Sequence, residues 1–307
     1  MKTALVGYTG FVGSNIDQQG RIDHKFNSQN IEEAYGLRPD VLIYAGIRAE
    51  KYLSNSNPNG DLAHIKEGIE NIKKINPIRL VLISTIDVYP FPVGVDEDSD
   101  IKAEVLQPYG ANRYYLEQQI RTVYPNAIIV RLPGLFGKNL KKNFIYDYIN
   151  KIPTMIKTEK YDELRKSEPE LELYYIPYNS NFFKCRALTR SERKKVEKCL
   201  DKLNFSALNF TDSRAVFQFY NLEHLWQHIQ MALKYNLKVL NLATEPIKIS
   251  ELYTRLTGST FINEIMETPP VYDFKTKYSK LFDGENGYIY DKATVLQEIV
   301  RFVKESH

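Results

Sequence analysis

The first half of the chain alternates short, almost continuously apolar runs with longer segments whose apolar residues recur at helical spacing. The apolar runs are rich in β-branched residues and cover positions 3–7, 40–46, 78–85 and 126–134. Uninterrupted apolar character over so few residues is typical of parallel strands that helices cover on both faces. Segments 60–76 and 110–124, between these runs, have the spacing of amphipathic helices. This alternation predicts an α/β fold with a doubly wound parallel sheet.

The pattern changes at about residue 150, where the chain becomes charged and aromatic. A helix predicted at 191–203 is rich in Arg and Lys, which indicates a solvated helix face; a patch that attracts an anionic ligand is the alternative. Segment 237–244 then returns to the pattern of a buried strand. We therefore expect a main domain and a smaller inserted and C-terminal lobe. Their predicted boundaries are 1–150 plus about 215–250 for the first, and 151–214 plus about 251–307 for the second.

Composition narrows the class of protein. Of 307 residues, 43% are hydrophobic and 26% are charged, as in an ordinary soluble globular protein. A net charge of +3 is too small to indicate nucleic acid or an anionic membrane as partner. No apolar run approaches the ~20 residues of a membrane span, and the first one resembles a strand more than a signal peptide, so we expect a cytoplasmic protein. Cys185 and Cys199 predict neither a disulfide framework nor a zinc site.

Three glycines directly follow the first predicted strand. They are Gly7, Gly10 and Gly13 of the segment VGYTGFVGSNI. Their missing side chains permit a tight turn and let a pyrophosphate approach the backbone N–H groups, while the N-terminus of the next helix adds partial positive charge. In this position the glycines predict a dinucleotide site. A glycine-rich turn without a ligand is the alternative.

The GxxGxxG spacing resembles that of the extended short-chain dehydrogenase/reductase family, which includes nucleotide-sugar epimerases, dehydratases and ketoreductases. Four further segments resemble the family in the right order: LRPDVLIYAGI, LISTIDVYP, PYGANRYYLEQ and VRLPGLFG. The resemblance covers about 1–150 well and about 215–250 loosely, and it implies a Rossmann sheet that binds NAD or NADP. It implies cofactor contacts at Gly7, Thr9, Gly10, Phe11, Val12, Gly13, Asn27, Ala45, Gly46, Arg113 and Pro133.

The same resemblance implies the catalytic residues. Family members couple hydride transfer to proton transfer through a tyrosine, whose phenol otherwise titrates near pH 10. A lysine four residues later lowers this pKa and holds the cofactor ribose. By the matching motifs, Tyr109 is the acid/base and Thr85 the hydroxyl that positions the substrate oxygen. Arg113 falls where the family has lysine, and its planar fork differs from a compact ammonium.

This arginine leaves three interpretations open: a working variant pair, a slowed enzyme, or a protein that only binds. The residues after Thr85 bear on the reaction. Family members that remove water from the sugar carry Asp and then Glu after this threonine, whereas this chain carries Ile86 and Asp87. The missing first acid argues against a 4,6-dehydratase and leaves 4-keto reduction or epimerisation. Asp87 is interpreted as a turn residue and included among the substrate contacts.

The choice between NAD and NADP stays open at this stage. An acidic residue about 20 positions past the glycines would bind the ribose 2′-hydroxyl of NAD. The second predicted strand, DHKFN, ends at Asn27 without a carboxylate. Lys25 and Arg48 are the candidates for binding the 2′-phosphate of NADP.

Substrate contacts are predicted at Thr85 and Asp87 and, in the second lobe, at Ser213 and Arg214 of the segment TDSRAVFQFY. An arginine there would pair with a substrate diphosphate, or else be a surface residue at a domain junction. The aromatic run LYYIPYNSNFF favours core packing of the lobe over stacking on a base. His224 and His228 lie one helical turn apart, but no third ligand completes a metal site.

The sequence thus predicts an NAD(P)-dependent oxidoreductase that acts on a nucleotide-linked sugar by 4-keto reduction or epimerisation. We expect no metal and no nucleic-acid or membrane partner, and a homodimer is compatible with the sequence. The alternative is a non-catalytic dinucleotide-binding protein that reports cofactor or ligand state to a partner. Arg113 is the feature that favours this alternative.

Overall fold

The computed structural model describes residues 2–306, which divide into two compact units. The first unit comprises 2–140, 216–247 and 270–299; the second comprises 141–215, 248–269 and 300–306. The strands are β1 (Thr3–Val6), β2 (His24–Phe26), β3 (Val41–Tyr44), β4 (Arg79–Thr85), β5 (Ile128–Leu132), β6 (Gly134–Phe136), β7 (Met155–Lys157), β8 (Tyr175–Asn179), β9 (Phe182–Cys185), β10 (Val216–Phe217), β11 (Phe219–Asn221), β12 (Val239–Asn241) and β13 (Ile247–Lys248). The helices are α1 (Phe11–Gln19), α2 (Lys51–Ser56), α3 (Pro58–Ile75), α4 (Pro108–Val123), α5 (Phe144–Ile149), α6 (Thr158–Ser167), α7 (Arg190–Lys202), α8 (Leu225–Lys234), α9 (Ile249–Thr257) and α10 (Lys292–Glu305).

A six-stranded sheet forms the centre of the first unit. Its order is β12-β5-β4-β3-β1-β2, and every pairing is parallel. The chain leaves β1 to add β2 on one side and then crosses to add β3 on the other, so the order reverses between β1 and β3. In open parallel sheets, ligands bind outside the carboxyl ends of the strands at such a reversal. The topology therefore places the predicted dinucleotide site at the end of β1.

Successive residues of the central strands face two different apolar layers, because strand side chains alternate. One layer contains Leu5, Ile43 and Val81 of the sheet with Ile16 of α1 and Ile229 of α8. The other contains Val6, Leu42 and Leu80 with Ile69 of α3 and Leu116 of α4. Helices thus cover both faces of the sheet, which explains why its central strands are mostly apolar. The predicted doubly wound α/β fold is confirmed.

The second unit has a core of its own around a three-stranded antiparallel sheet in the order β7-β9-β8. Tyr174 and Tyr175 are buried in this core, and the ring of Phe183 stacks on that of Tyr161 with centroids 3.9 Å apart. Much of the predicted aromatic run therefore packs inside the lobe. Helix α7 buries its apolar residues and exposes every Arg and Lys, as expected of a solvated helix face.

The two units do not have the boundaries that the sequence predicted. Segment 270–299 belongs to the first unit, whereas the sequence placed everything from about 251 onward in the smaller lobe. Phe274 is fully buried and packs against Ile86 and Val88 after β4, which explains the return of this segment. Within residues 2–306, no helix is both long and apolar enough to cross a membrane.

Candidate active site

The turn after β1 brings three chain segments closer than side chains would allow. Gly7 has φ +92°, and a Cβ there would lie 2.5 Å from the carbonyl oxygen of Ala45. A Cβ at Gly13 would lie 2.1 Å from the carbonyl oxygen of Gly7. Gly10 occupies the N-cap position of α1, and the first turn of α1 has no acidic residue. The first N–H groups of α1 therefore meet neither a capping side chain of residue 10 nor a negative charge of their own turn.

This turn fits the diphosphate of a dinucleotide. Exposed Gly10 permits close approach, and the helix N-terminus favours an anion. The remaining predicted cofactor residues of this unit follow the carboxyl ends of parallel strands or begin α1. Thr9 is exposed; Phe11 and Val12 pack against the apolar layer; Asn27 follows β2, Ala45 and Gly46 follow β3, and Pro133 follows β5. The topology thus gathers them along one edge of the sheet.

The end of β2 offers amide groups and no carboxylate for the cofactor ribose. The side chain of Asn27 accepts a hydrogen bond from the backbone of Gln29 at 2.8 Å, so it shapes its own turn. Lys25 forms an ion pair with Asp17 at 2.7 Å. Arg48 has an exposed side chain and lies after β3. Of the two cations proposed for a 2′-phosphate, Lys25 is therefore already paired.

Tyr109 and Thr85 lie together at the carboxyl edge of the same sheet. Thr85 ends β4, and Tyr109 lies in the first turn of α4, with the Thr85 hydroxyl near enough to the phenol to lower its pKa. Gly110 allows this approach, because a Cβ there would lie 2.2 Å from the carbonyl oxygen of Asp87. Asn55 accepts a hydrogen bond from the backbone N–H of Tyr109 at 2.9 Å. Only 6% of Tyr109 is exposed.

Arg113 lies beside Tyr109 but is occupied by another partner. Its guanidinium donates to both carboxylate oxygens of Asp61, at 2.8 and 3.2 Å, and to the carbonyl oxygen of Arg48. The guanidinium carbon lies 4.5 Å from the centre of the Tyr109 ring. Since Arg113 is 3% exposed, it presents almost no surface to a ribose. Asp61 was not predicted from the sequence; it lies in the first turn of α3, and no local pattern relates it to Arg113.

The surroundings of Tyr109 keep its phenol protonated. Burial raises the pKa of Tyr109 above its ordinary value. Arg113 lowers this pKa and Asp87 raises it, while the Thr85 hydroxyl and the charge of Lys51 lower it by smaller amounts. The resemblance implies a cation four residues after the tyrosine that lowers the pKa of the phenol, whereas here burial dominates. The phenol of Tyr109 therefore carries its proton at neutral pH.

A second group of polar side chains, which we call the Lys51 cluster, adjoins this site. It comprises Lys51, Asp87 and Tyr272. The ammonium of Lys51 donates to Asp87 at 2.8 Å and to the Tyr272 hydroxyl at 3.2 Å, and that hydroxyl donates to Asp87 at 2.8 Å. Burial opposes the charge of Lys51, yet Asp87 and Tyr272 raise its pKa above the ordinary value. Asp87 is thus more than the turn residue that the sequence favoured.

A buried ion pair anchors α4 to the sheet. Glu117 of α4 is fully buried, and its carboxylate accepts from Arg131 of β5 at 2.6 Å and from Ser84 of β4 at 2.6 Å. Arg131 also donates to the Tyr89 hydroxyl at 2.6 Å. These contacts hold α4 in register with β4, and so hold Tyr109 beside Thr85. The sequence did carry a signal, because Arg131 interrupts an otherwise apolar strand.

No family model matches this chain, and no curated protein matches its sequence. Solved structures do match it over its whole length. A dTDP-4-dehydrorhamnose reductase from Bacillus anthracis in complex with NADP has 14% identity and a TM-score of 0.63, with 99% of each chain covered. A UDP-glucose 4-epimerase from Thermotoga maritima with UDP-glucose has 12% identity and a TM-score of 0.61, covering 99% of this chain and 98% of that one.

A dTDP-glucose 4,6-dehydratase from Streptomyces venezuelae with NAD bound has 13% identity and a TM-score of 0.63, covering 99% of this chain and 97% of the other. This chain has the fold of the extended short-chain dehydrogenases/reductases. At such low identity the match establishes the fold, and the resemblance predicted from the motifs is confirmed at that level.

In this extended short-chain dehydrogenase fold, Ser213 and Arg214 fall in the second unit. Arg214 forms a two-pronged ion pair with Asp212, at 3.0 and 2.9 Å, and contacts Glu264 at 3.1 Å. The guanidinium holds the pKa of Asp212 well below its usual range. The Ser213 hydroxyl accepts from the backbone of Asn263 at 3.1 Å. Two carboxylates therefore neutralise the arginine that was predicted to meet a diphosphate.

The two histidines one turn apart lie in a packed environment. His228 is buried, contacts the Tyr220 hydroxyl at 2.8 Å, and has its pKa lowered to about 4 by burial. His224 contacts Glu298 at 2.7 Å. In the part of the chain that the structure describes, no group of three or more His, Cys, Asp or Glu residues could hold a metal ion. Cys185 and Cys199 are free thiols.

Proposed function

We propose that this protein is an NAD(P)-dependent oxidoreductase that acts on a nucleotide-linked sugar by 4-keto reduction or epimerisation. One observation carries the proposal: the glycine turn after β1 and the Tyr109–Thr85 pair lie at the carboxyl edge of the same parallel sheet. The glycine turn would hold a diphosphate, and Tyr109 is placed to exchange a proton. The structures of similar fold described above were solved with NADP, NAD or UDP-glucose, which supports this ligand class.

The residues of the site would divide the work as follows. A nicotinamide cofactor held by the glycine turn would supply or accept the hydride at the sugar carbon. Tyr109 gives its proton to the sugar oxygen during reduction, and solvent reprotonates the phenolate afterwards. Thr85 donates to the same oxygen and orients it. In epimerisation, Tyr109 would first accept the proton and later return it.

Arg113 has a different role in this proposal from that of the family's lysine. Its contacts with Asp61 and with the Tyr109 ring hold the tyrosine in place, and its burial argues against a ribose contact. We therefore propose that the chain carries a working variant of the catalytic pair, in which Arg113 positions Tyr109. The cofactor would be held by the glycine turn and by the residues after β3 and β5.

Ser213 and Arg214 remain the proposed contacts for the substrate diphosphate. Glu264 is exposed and contacts Arg214 through one pair of atoms at 3.1 Å. A phosphate would replace this carboxylate on the guanidinium, because both are anions that accept from its N–H groups. Asp212 would stay in place, since it also accepts hydrogen bonds from the backbone of Ile265 and Met266.

Binding and turnover of the purified protein test this proposal separately. We expect the fluorescence of NADPH or NADH to change on mixing, and at least one nucleotide-linked 4-keto sugar or 4-hydroxy sugar to be converted. Tyr109→Phe should lower the rate by about 10²–10⁴-fold, the usual contribution of a general acid, and leave cofactor affinity nearly unchanged. Unaltered turnover in this variant would remove Tyr109 from the mechanism.

The same experiment separates the enzyme from the non-catalytic alternative. Cofactor binding without conversion of any sugar in the panel would support a dinucleotide-binding sensor. Failure to bind either reduced cofactor would contradict both.

A further inference from the structure

The first turn of α4 carries Tyr109 but is not capped by its own residues. An α-helix begins with N–H groups that have no partner inside the helix. In α4 the N-cap residue, Gln107, makes no side-chain hydrogen bond to this turn, and Pro108 has no N–H. The N–H of Tyr109 is therefore the first helical donor that needs a partner from outside. Because only 6% of Tyr109 is exposed, leaving that donor unpaired would be unfavourable.

Asn55 of α2 supplies this partner from another helix. Its side-chain oxygen accepts from the N–H of Tyr109 at 2.9 Å, although the two residues are 54 positions apart. Both residues belong to the first unit. The amide oxygen of asparagine is among the groups that cap helix N-termini best, and here it comes from a distant segment. The contact acts on the backbone of Tyr109, from which the phenol extends.

The helix that carries Asn55 is fixed at two points. The hydroxyl of buried Ser54 donates to Asp61 of α3 at 2.9 Å. The ammonium of Lys51 donates to Asp87, in the turn after β4, at 2.8 Å. Helix α2 is thus tied both to α3 and to the end of β4. Asn55 therefore offers its oxygen from a fixed place.

The other anchors of α4 act further along the helix. Asn112 and Arg113 both donate to a carboxylate of α3, one turn after Tyr109. Glu117, which binds the sheet, lies one turn further on. These contacts fix the position of α4 but do not engage the N–H groups of its first turn. Among residues 2–306, Asn55 is the one residue whose side chain accepts from the backbone of that turn.

We propose that Asn55 is a positioning residue that holds the first turn of α4 and thereby places the phenol of Tyr109. This inference rests on the proposed function, in which Tyr109 exchanges a proton with the sugar oxygen. Displacing a reacting group by about 1 Å can lower a rate by about 10²-fold. Asn55 would act through the backbone of Tyr109 and not on the substrate itself.

Asn55→Leu tests the inference, because leucine is close to asparagine in size but accepts no hydrogen bond. We expect kcat at neutral pH to fall by about 10–100-fold, with KM for the sugar nucleotide and affinity for NADPH or NADH nearly unchanged. The rate is expressed per cofactor-binding site, counted by fluorescence titration, so that unfolded protein does not enter it. Asn55→Asp keeps an accepting oxygen and should recover most of the rate.

Hydrogen exchange at the backbone N–H of Tyr109 reports the same contact without any substrate. We expect slow exchange in the wild type and in Asn55→Asp, and faster exchange in Asn55→Leu. The matched control is Thr189→Val, which removes the hydroxyl that caps α7 in the second unit by accepting from Glu192 at 3.3 Å. This variant should lose stability but keep the rate per site and the exchange at Tyr109.

Three results would count against these proposals in different ways. Full rate in Asn55→Leu, or exchange at Tyr109 as slow as in the wild type, would overturn the inference and leave the proposed function standing. Equal loss of rate in Asn55→Asp would also overturn it, since the N–H groups of the amide would then be needed. Cofactor binding without turnover in the wild type would instead refute the proposed function, while the exchange rates would still show whether Asn55 holds the turn.

Discussion

Two ion pairs adjoin the same phenol, and they differ in almost every other respect. Arg113 and Asp61 are 3% and 9% exposed, and the guanidinium makes three hydrogen bonds. Lys51 and Asp87 are 47% and 21% exposed and meet through a single contact. The buried pair stays together because each desolvated charge needs the other as its partner. The exposed charges can separate and bind water instead with little change in free energy.

This difference separates two tasks: one pair supports the ring of Tyr109, and the other places exposed charges near it. The Arg113–Asp61 pair ties together α3 and α4 and supports the ring of Tyr109. The Lys51–Asp87 pair lies where a substitution changes charge with little effect on packing. Position in the motif alone would assign both tasks to Arg113.

Of the changes that test this comparison, Arg113→Leu should have the largest effect on stability. It leaves the buried carboxylate of Asp61 without its cation, and we expect the free energy of unfolding to fall by about 3–5 kcal/mol. Urea denaturation of the wild type and the variant measures this loss. Adding Asp61→Asn to the variant should recover part of it, because the uncompensated charge is gone. A loss under about 1 kcal/mol would show that the pair is not structural.

Lowering the pH should also reduce the stability that the buried pair contributes, by less than Arg113→Leu does. Burial opposes the charge of Asp61, but the hydrogen bonds from Arg113 and Asn112 prevail and lower its pKa. Its contribution to stability is therefore complete above the unfolded-state pKa of about 4 and is lost as pH falls through the lower, folded-state value. The free energies of unfolding of the wild type and of Asp61→Asn, measured with urea over this pH range, should converge as the pH falls. Parallel curves would contradict the assignment.

Lys51→Met should have the smallest effect on stability. Exposed ion pairs contribute about 0–1 kcal/mol, so we expect a loss of that size, which added salt reduces further in the wild type. Thermal or urea unfolding at low and high salt gives the comparison. A loss comparable with that of Arg113→Leu would show that the Lys51 cluster is also structural.

Much of the sheet could be predicted because its signal is local. Strands covered on both faces are apolar at nearly every position, as in β3 and β5, and the spacing of the glycines after β1 matches the tight turn that they form. Arg131 was a visible exception within an apolar strand, and it proved to be the partner of buried Glu117.

The residues that the sequence did not reveal are joined only by the fold. Lys51 is 36 positions from Asp87, and Tyr272 is 185 positions from it. Asp61 is 52 positions from Arg113. No periodicity relates residues so far apart, and each one alone resembles an ordinary charged or polar side chain. The return of 270–299 to the first unit was missed for the same reason.

By itself, the sequence determined the parallel sheet, the glycine turn and the tyrosine and threonine at the sheet's edge, because each is encoded in a few consecutive residues. Only the tertiary structure decided which carboxylate meets which cation. Burial and hydrogen bonding depend on neighbours in space, and these settle that Arg113 supports the phenol while Asp87 and Lys51 adjoin it with charges that water still reaches.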